Sequence, residues 1–461
     1  MTTSGPEEPT RPNRADQEGR TERIMAGPDA PTRATESESP TRRLGRALRG
    51  ALTDTRPLRT PAYRRLWAAG IVTVVGAQLS VVAVPAQIYE LTGSSTYVGL
   101  TGLFGLVPLV VFGLWGGAIA DAIDRRTLLL FSGAGIALSS LALWVTSAGG
   151  VGSVWLVLTL FALQSAFLAV NQPARSAVIP RLLPPDQLPA ANALSMTVFQ
   201  VGAIAGPLLA GVLIPVVGLS TLYLLDAIAL LATLWATWKL PPVPPAVTTE
   251  RRRAGLREVA AGFRYAALHK VLLVSFLIDI VAMALGMPRV VFPQIAHTLY
   301  GDPIEGGFAL GLMFAAIPVG MVVAGLFSGW LHRVHRQGVA VTIAICTWGL
   351  GVALFGLTGS LWLAVLFLAL AGGADAVSSI FRNSMLQSVA TDEMRGRMQG
   401  VFIVVVAGGP RIADIWHGPA ADLIGPGAAA SVGGFLVIAG AIAVVARFPE
   451  FWRYRAPREW A

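Results

Sequence analysis

The sequence predicts an all-α membrane protein of twelve transmembrane helices, arranged as two pseudo-symmetric six-helix bundles with both termini in the cytoplasm. Three observations carry this reading. Of the 461 residues, 54% are hydrophobic and only 13% charged, whereas a soluble domain is about a quarter charged, and the mean hydropathy is +0.63. Apolar runs of about 18 to 25 residues recur along the chain, each long enough as a helix to cross a hydrocarbon core about 30 Å thick. Basic residues gather in every second loop between these runs, the pattern expected of cytoplasmic loops.

The spans fall near 66–90, 96–120, 127–147, 154–179, 190–216, 219–238, 271–297, 306–331, 339–357, 361–382, 398–423 and 427–446. One alternate set of loops carries "DAIDRR", "PRLLPPDQLP", "ERRRAGLREVAAGFRYAALHK", "HRVHRQG" and "DEMRGR"; the other carries "LTGSST", "AGGVGS", "YGDPIE" and "LTGS". Residues 1–62 are rich in Pro, Thr, Glu and Arg and read as a disordered cytoplasmic tail. Residues 63–239 then form the N-terminal bundle and 240–269 a linker that opens "PPVPP" and continues into an amphipathic helix, Leu256 to Leu268. Residues 270–447 form the C-terminal bundle and 448–461 a cytoplasmic tail. A faint internal repeat, "NQPARSAVIPRLLPPDQLPAANAL" against "IFRNSMLQSVATDEMRGRMQGV", supports two halves around a central site.

Several function classes fall away. The net charge of +9 is scattered in tufts, as topology signals are, and is not gathered on one face for nucleic acid. Lys239 and Lys270 are the only lysines and neither follows a glycine, so there is no phosphate loop for ATP hydrolysis. The lone Cys346 reads as a packing residue and permits no intramolecular disulfide. Arg42 and Arg43 lack the apolar segment that an export signal needs close behind them. No metal cluster, nucleophile elbow or paired-carboxylate motif points to an enzyme, and no cofactor or metal is implied. The Arg, Ala, Gly and Val bias fits the plasma membrane of a high-GC bacterium.

The second span ends "GGAIADAIDRR", where Gly117 allows close helix approach, Asp121 sits at the membrane edge, and Arg125 and Arg126 anchor the loop. Here the chain resembles the major facilitator superfamily, whose signature between the second and third helices is G-x-x-x-D-R-x-G-R-R. Gly117, Asp121, Arg125 and Arg126 match; Ala122 and Asp124 depart from it. The resemblance implies a conformational latch in which Asp121 meets the eleventh helix in the outward-facing state. In the fifth span, "GAIAGPLLAG" sets Gly202, Gly206 and Ala210 four apart, with Pro207 bending the helix and Gly211 closing the stretch. It resembles the G-x-x-x-G-P-x-x-G-G motif of the superfamily's antiporters, with Ala210 in place of one glycine. The eighth span's "GLFSGWLHRVHR" stands where the Gly117 motif should repeat and lacks its aspartate, which leaves His332 and His335 as surface loop residues.

The ionisable residues inside spans are the candidates for substrate and proton coupling, because each costs about 2.5 to 3.5 kcal/mol to insert. In the seventh span, Asp279 and Arg289 stand among the helix breakers Gly286, Pro288 and Pro293, which predict a discontinuous helix near the midplane. In the eleventh, "GGPRIADIWHGP" places Arg411 and Asp414 three apart, able to pair on one helical stripe, with His417 a turn further out. Asp226 and Asp375 complete the set, each either exchanging protons or held ionised by an arginine. Glu90, Arg175 and Arg382 lie near span ends and read as snorkelling anchors.

Together, "FLIDIVAMALGMPRVVFP" and "GRMQGVFIVVVAGGPR" resemble the enterobactin-exporter-like branch of the superfamily, over roughly residues 60–448. The resemblance implies a proton-coupled antiporter, active as a monomer in the lipid bilayer, that exports a small amphiphilic molecule (siderophore, drug or secondary metabolite) by alternating access. Asp279, Arg289, Arg411 and Asp414 are expected to line or gate its cavity, with Asp279 or Asp414 exchanging the proton. Uptake or lipid transport on the same fold is the alternative, and a non-transporting receptor or scaffold is a more distant one.

Overall fold

The computed structural model describes residues 54–243 and 264–455, without the side chains of 114–122 and of most residues in 392–404. The expected N-terminal tail up to residue 53, the linker segment 244–263 and the last six residues lie outside the described residues; of the expected linker helix, 264–268 are helical. The described chain is helical, with no strand among the described residues.

The N-terminal half comprises α1 (Pro61–Thr92), α2 (Ser95–Ala122), α3 (Arg125–Ala148), α4 (Val154–Leu182), α5 (Leu188–Val217) and α6 (Leu219–Trp238). The C-terminal half comprises a broken α7 (α7a, Lys270–Gly286, and α7b, Phe292–Tyr300), α8 (Phe308–Leu326), α9 (Gln337–Leu357), α10 (Leu361–Val389), α11 (Asp392–Ile424) and α12 (Pro426–Arg447). Among the described residues eleven helical segments are long and apolar enough to cross a membrane, α7a and α7b counting together; α11 is the twelfth long helix. These match the twelve expected spans in number and order.

Short connections make neighbouring helices antiparallel, and local chemistry closes them. Gly93, at φ 63°, supplies the left-handed cap that ends α1. Asp124 starts α3 by accepting from Thr127 N at 3.0 Å and also accepts from Val243 N at 2.9 Å, which ties this loop to the chain leaving α6. The expected eighth span stops early at Leu326 and passes into a 3-10 turn, Ser328–Arg333, which opens on the Ser328–Gly329 step.

The halves meet where α2 packs on α11 and α5 on α8. One large apolar core joins them, and its N-half members (Tyr89, Val98, Ile214 and Leu219 among them) come from the part of the bundle remote from the termini. Toward the face carrying the termini, the smaller cores belong to single halves: Tyr63, Leu183 and Leu194, or Leu66, Leu128 and Val178, in the N-half, and Leu272, Phe276 and Leu386 in the C-half. The two bundles are therefore joined at the far face and separately packed toward the terminal face.

Candidate functional site

The helix breakers of the seventh span act as expected. Gly286 ends α7a, a 3-10 turn covers Arg289–Val291, and Pro293 lies in the first turn of α7b, where its missing N–H costs nothing. The break turns Arg289 toward α11, where Asp414 accepts from its Nη2 at 2.5 Å and from its Nε at 3.1 and 3.2 Å. Asp414 is buried while a third of the Arg289 side chain is exposed, 2% against 33%. A two-point guanidinium–carboxylate contact of this kind is among the strongest polar interactions a protein makes.

This geometry corrects one expectation. Arg411 does not pair with Asp414 across one turn of α11; Arg289 from α7 takes the carboxylate instead, and Arg411 makes no hydrogen bond or ion pair with any of the described residues. Its guanidinium lies over Gly105 of α2, where a side chain would collide with it. Arg289, Arg411 and Asp414 together line a cavity of about 190 Å³ between the halves. The N-half contributes Ser80, Thr101, Gln164, Ser165 and Phe161 to its wall, and α8 contributes Phe314. The cavity thus holds two cations and one anion from the C-half, faced by hydroxyl, amide and apolar groups from the N-half.

Asp226 lies behind that N-half wall. Ser80 and Ser140 donate to its Oδ2 at 2.7 and 2.9 Å, and Gln164 donates to Ser140 at 2.8 Å. Asp226 is 1% exposed, and no cation pairs with it among the described residues.

Asp279 does not line the central cavity. It is fully buried on α7a and pairs with Arg382 of α10, whose Nη2 also lies 3.6 Å from Asp375. Arg382 is 3% exposed, which corrects its reading as a snorkelling anchor: α10 continues to Val389, two turns past the apparent end of the apolar run, and carries Arg382 inside the bundle. His417 is also buried away from the cavity. Its Nδ1 is 3.1 Å from the Ala413 carbonyl and its ring packs against Trp416 and Gly433, with Trp416 donating to the Ala284 carbonyl at 2.7 Å.

The side chains of Gly117 and Asp121 lie outside the described residues, so the structure gives no account of the expected latch. Arg125 is buried at the start of α3, and Arg126 donates to the Trp238 carbonyl at 2.6 Å. The Gly202 stretch packs in two directions. Gly202 and Gly206 press on Val74 and Gln78 of α1, while Gly211 faces Gly311 of α8, 3.0 Å from where its Cβ would be, and the Pro207 carbonyl faces the same Gly311.

One residue escaped the sequence reading. Asp422, near the far end of α11, caps the start of α2 across the junction of the halves: it accepts from Ser94 Oγ at 2.5 Å and from the backbone N–H of Ser95 and Thr96, each at 2.9 Å. Ser95 Oγ also donates to Gln294 of α7b at 2.7 Å. Beneath the cap, Gly99 and Gly102 of α2 let the α11 backbone at Asp414 and Gly418 approach closely. The one visible signal was a carboxylate at the end of a span opposite the serine-rich "GSST" loop.

Comparison with known proteins places these features. Residues 52–458 match the family described as transmembrane secretion effector, a branch of the major facilitator superfamily. The chain is similar to the enterobactin exporter EntS of Citrobacter koseri, 29% identical over 407 residues, covering 86% of this chain and 94% of the relative. The EntS of Shigella boydii is as similar, 29% over 405 residues with the same coverage. Among solved structures the fold is similar to that of the nucleoside transporter NupG, with a TM-score of 0.68 at 14% identity over 84% of this chain and 99% of that one. It is also similar to a bacterial homologue of the human lysosomal transporter Spinster, with a TM-score of 0.64 at 15% identity over 87% and 97%.

Proposed function

We propose that this chain, a transporter that belongs to the major facilitator superfamily, exports a siderophore or a chemically similar small amphiphile by proton-coupled antiport. The observation that carries the reading is the convergence of Arg289, Arg411 and Asp414 on one cavity between the halves. Arg289 is already held by Asp414, so Arg411 is the cation left for a substrate. An acidic oxygen of the substrate would meet it, while Phe161 and Phe314 take up apolar surface and Gln164, Ser165 and Thr101 offer hydrogen bonds. The relatives' names supply the substrate class.

Orientation follows from the basic loops, which put the terminal face in the cytoplasm. The far-face seal at Asp422 then belongs to the outer side, and the arrangement is the one that receives substrate from inside. The coupling proton is assigned to the C-half trio. Two carboxylates, Asp279 and Asp375, surround the Arg382 guanidinium, and protonating one of them balances the pair of charges that remains. Substrate at Arg411 and proton at the trio both lie in the half that contains the broken helix, whose 3-10 turn can couple them.

Inverted membrane vesicles test direction and coupling together. With enterobactin as the probe, vesicles with an acidified lumen accumulate it, and collapsing the pH gradient releases it. Accumulation that ignores the gradient, or requires an alkaline lumen, contradicts proton-coupled export.

A further inference from the structure

In the C-half, α8 and α9 both pack on α10 but share no comparable interface with each other. The wedge between them is a groove of about 750 Å³, floored by Leu370, Gly373 and Ala374 of α10 and walled by Val323 and Ile343. Leu370, Val323 and Ile343 are 53%, 48% and 57% exposed. In a bundle that spans a membrane, such side chains face acyl chains, and the volume lies within the range of binding pockets, about 300 to 1,000 Å³.

The corresponding helices of the N-half carry different side chains. There α2 and α3 both pack on α4, and α3 and α4 carry the ring pair Phe131 and Phe167, in edge contact at 5.9 Å, with Phe167 lying on Gly135 and packed against Ile136, Ala137 and Leu230. α4 and α10 have equal lengths of 29 residues, and Phe167 and Ala374 stand at the same place in each. Counting likewise from the starts of α3 and α9, Phe131 corresponds to Ile343 and Gly135 to Thr347, both groove residues. At these two positions the groove carries Ile343 and Ala374 where the N-half has aromatic rings.

Its terminal-face mouth has a definite charge. Arg336 and Trp330 line it, and the turn from Phe327 to Arg336 also exposes His332, Arg333 and His335, with no acidic residue in the turn. Neither Arg333 nor Arg336 forms an ion pair with a described residue. This is the turn where the repeat of the Gly117 motif lacks its aspartate, so the site that carries an acid in the N-half is purely basic here.

We infer that this groove is a binding site for an anionic phospholipid, one acyl chain lying on α10 between α8 and α9 and the phosphate meeting Arg333 and Arg336. Charge complementarity selects the headgroup, and the small Gly373 and Ala374 on the groove floor leave room for the chain. The site is remote from the central cavity, so the inference does not depend on the transported substrate.

Native mass spectrometry of the intact purified protein tests it, with phosphatidylglycerol and phosphatidylcholine added at equal concentration. The wild type retains phosphatidylglycerol roughly tenfold or more over phosphatidylcholine, the size expected for two arginines at an anionic surface. R333Q/R336Q removes that preference. Ala374→Phe, which puts a ring on the groove floor, removes retention of both lipids; Ile343→Trp, at an exposed position that leaves folding intact, lowers it in the same way. Equal retention of the two lipids by the wild type, or unchanged retention in R333Q/R336Q and Ile343→Trp, overturns the inference.

Discussion

The two halves share a scaffold and differ in the chemistry they bury. The N-half holds Asp226 with hydroxyl donors from Ser80 and Ser140, whereas the C-half holds Asp414, Asp279 and Asp375 with the guanidinium groups of Arg289 and Arg382. Every charged group lining the central cavity comes from the C-half. A carboxylate fixed by neutral donors has one stable arrangement, while carboxylates that share guanidinium groups can exchange partners when a proton or a substrate anion arrives. The difference teaches that repeat symmetry fixes the scaffold and not the buried charges, which is the basis for proposing binding and coupling in the C-half.

The largest expected effect breaks the C-half pairing itself. Arg289→Ala leaves the buried Asp414 carboxylate without its partner, which costs about 3 to 5 kcal/mol, Asp414→Ala leaves the partly exposed Arg289 unpaired at a smaller cost, and transport falls to background in both. The double variant recovers thermal stability, because the orphaned charge is gone, but not transport; melting of the purified protein set beside vesicle uptake checks both. If the double variant is no more stable than the singles, the pair is not the interaction that the cavity depends on.

Next is coupling. Asp279→Asn and Asp375→Asn each remove one of the two carboxylates around Arg382, and the expected outcome is loss of gradient-driven accumulation with downhill movement of enterobactin retained. Proton flux recorded with a pH-sensitive dye in proteoliposomes checks it. Wild-type accumulation in both variants would move the coupling site elsewhere.

Smaller effects are expected where the halves touch without charge. Gly211→Val forces α5 from α8 at Gly311, an overpacking cost of about 1 to 3 kcal/mol, and Asp422→Asn weakens the cap on α2. Both shift the population away from the far-face-closed state. The readout is thiol labelling of a cysteine placed at Thr101 on the cavity wall, in a Cys346→Ser background, which rises from the far face.

The smallest effect is expected in the N-half. Asp226→Asn keeps an oxygen to accept from Ser80 and Ser140, so transport stays within about twofold of wild type, while Asp226→Leu leaves both hydroxyls without their acceptor and costs about 1 to 3 kcal/mol. An Asp226→Asn variant that fails to couple, as Asp279→Asn is expected to, would erase the contrast between the halves.

The fold was largely legible because a bilayer imposes one length scale on every helix: the twelve apolar runs translated directly into α1 to α12. The break in α7 was legible for a related reason, since Gly286, Pro288 and Pro293 constrain backbone regardless of context. The pairing was not. Local spacing favoured Arg411 with Asp414, yet the partner came from Arg289, 125 residues away in sequence, because only packing of α7 on α11 brings them together. Arg382 was misplaced because an apolar run marks where a membrane begins to matter and not where a helix ends. Asp422 carries no local signal of its role, because only the packing of α2 against α11 makes it a cap.

The central claim is that Arg411 receives the substrate in the cavity, and its most direct measurement is enterobactin binding to purified wild type, Arg411→Lys and Arg411→Gln by calorimetry. Loss of a charged hydrogen bond worth about 1.5 to 3 kcal/mol predicts that Gln weakens binding roughly tenfold to a hundredfold, with Lys between Gln and wild type. Unchanged affinity in a folded Arg411→Gln protein would contradict the account.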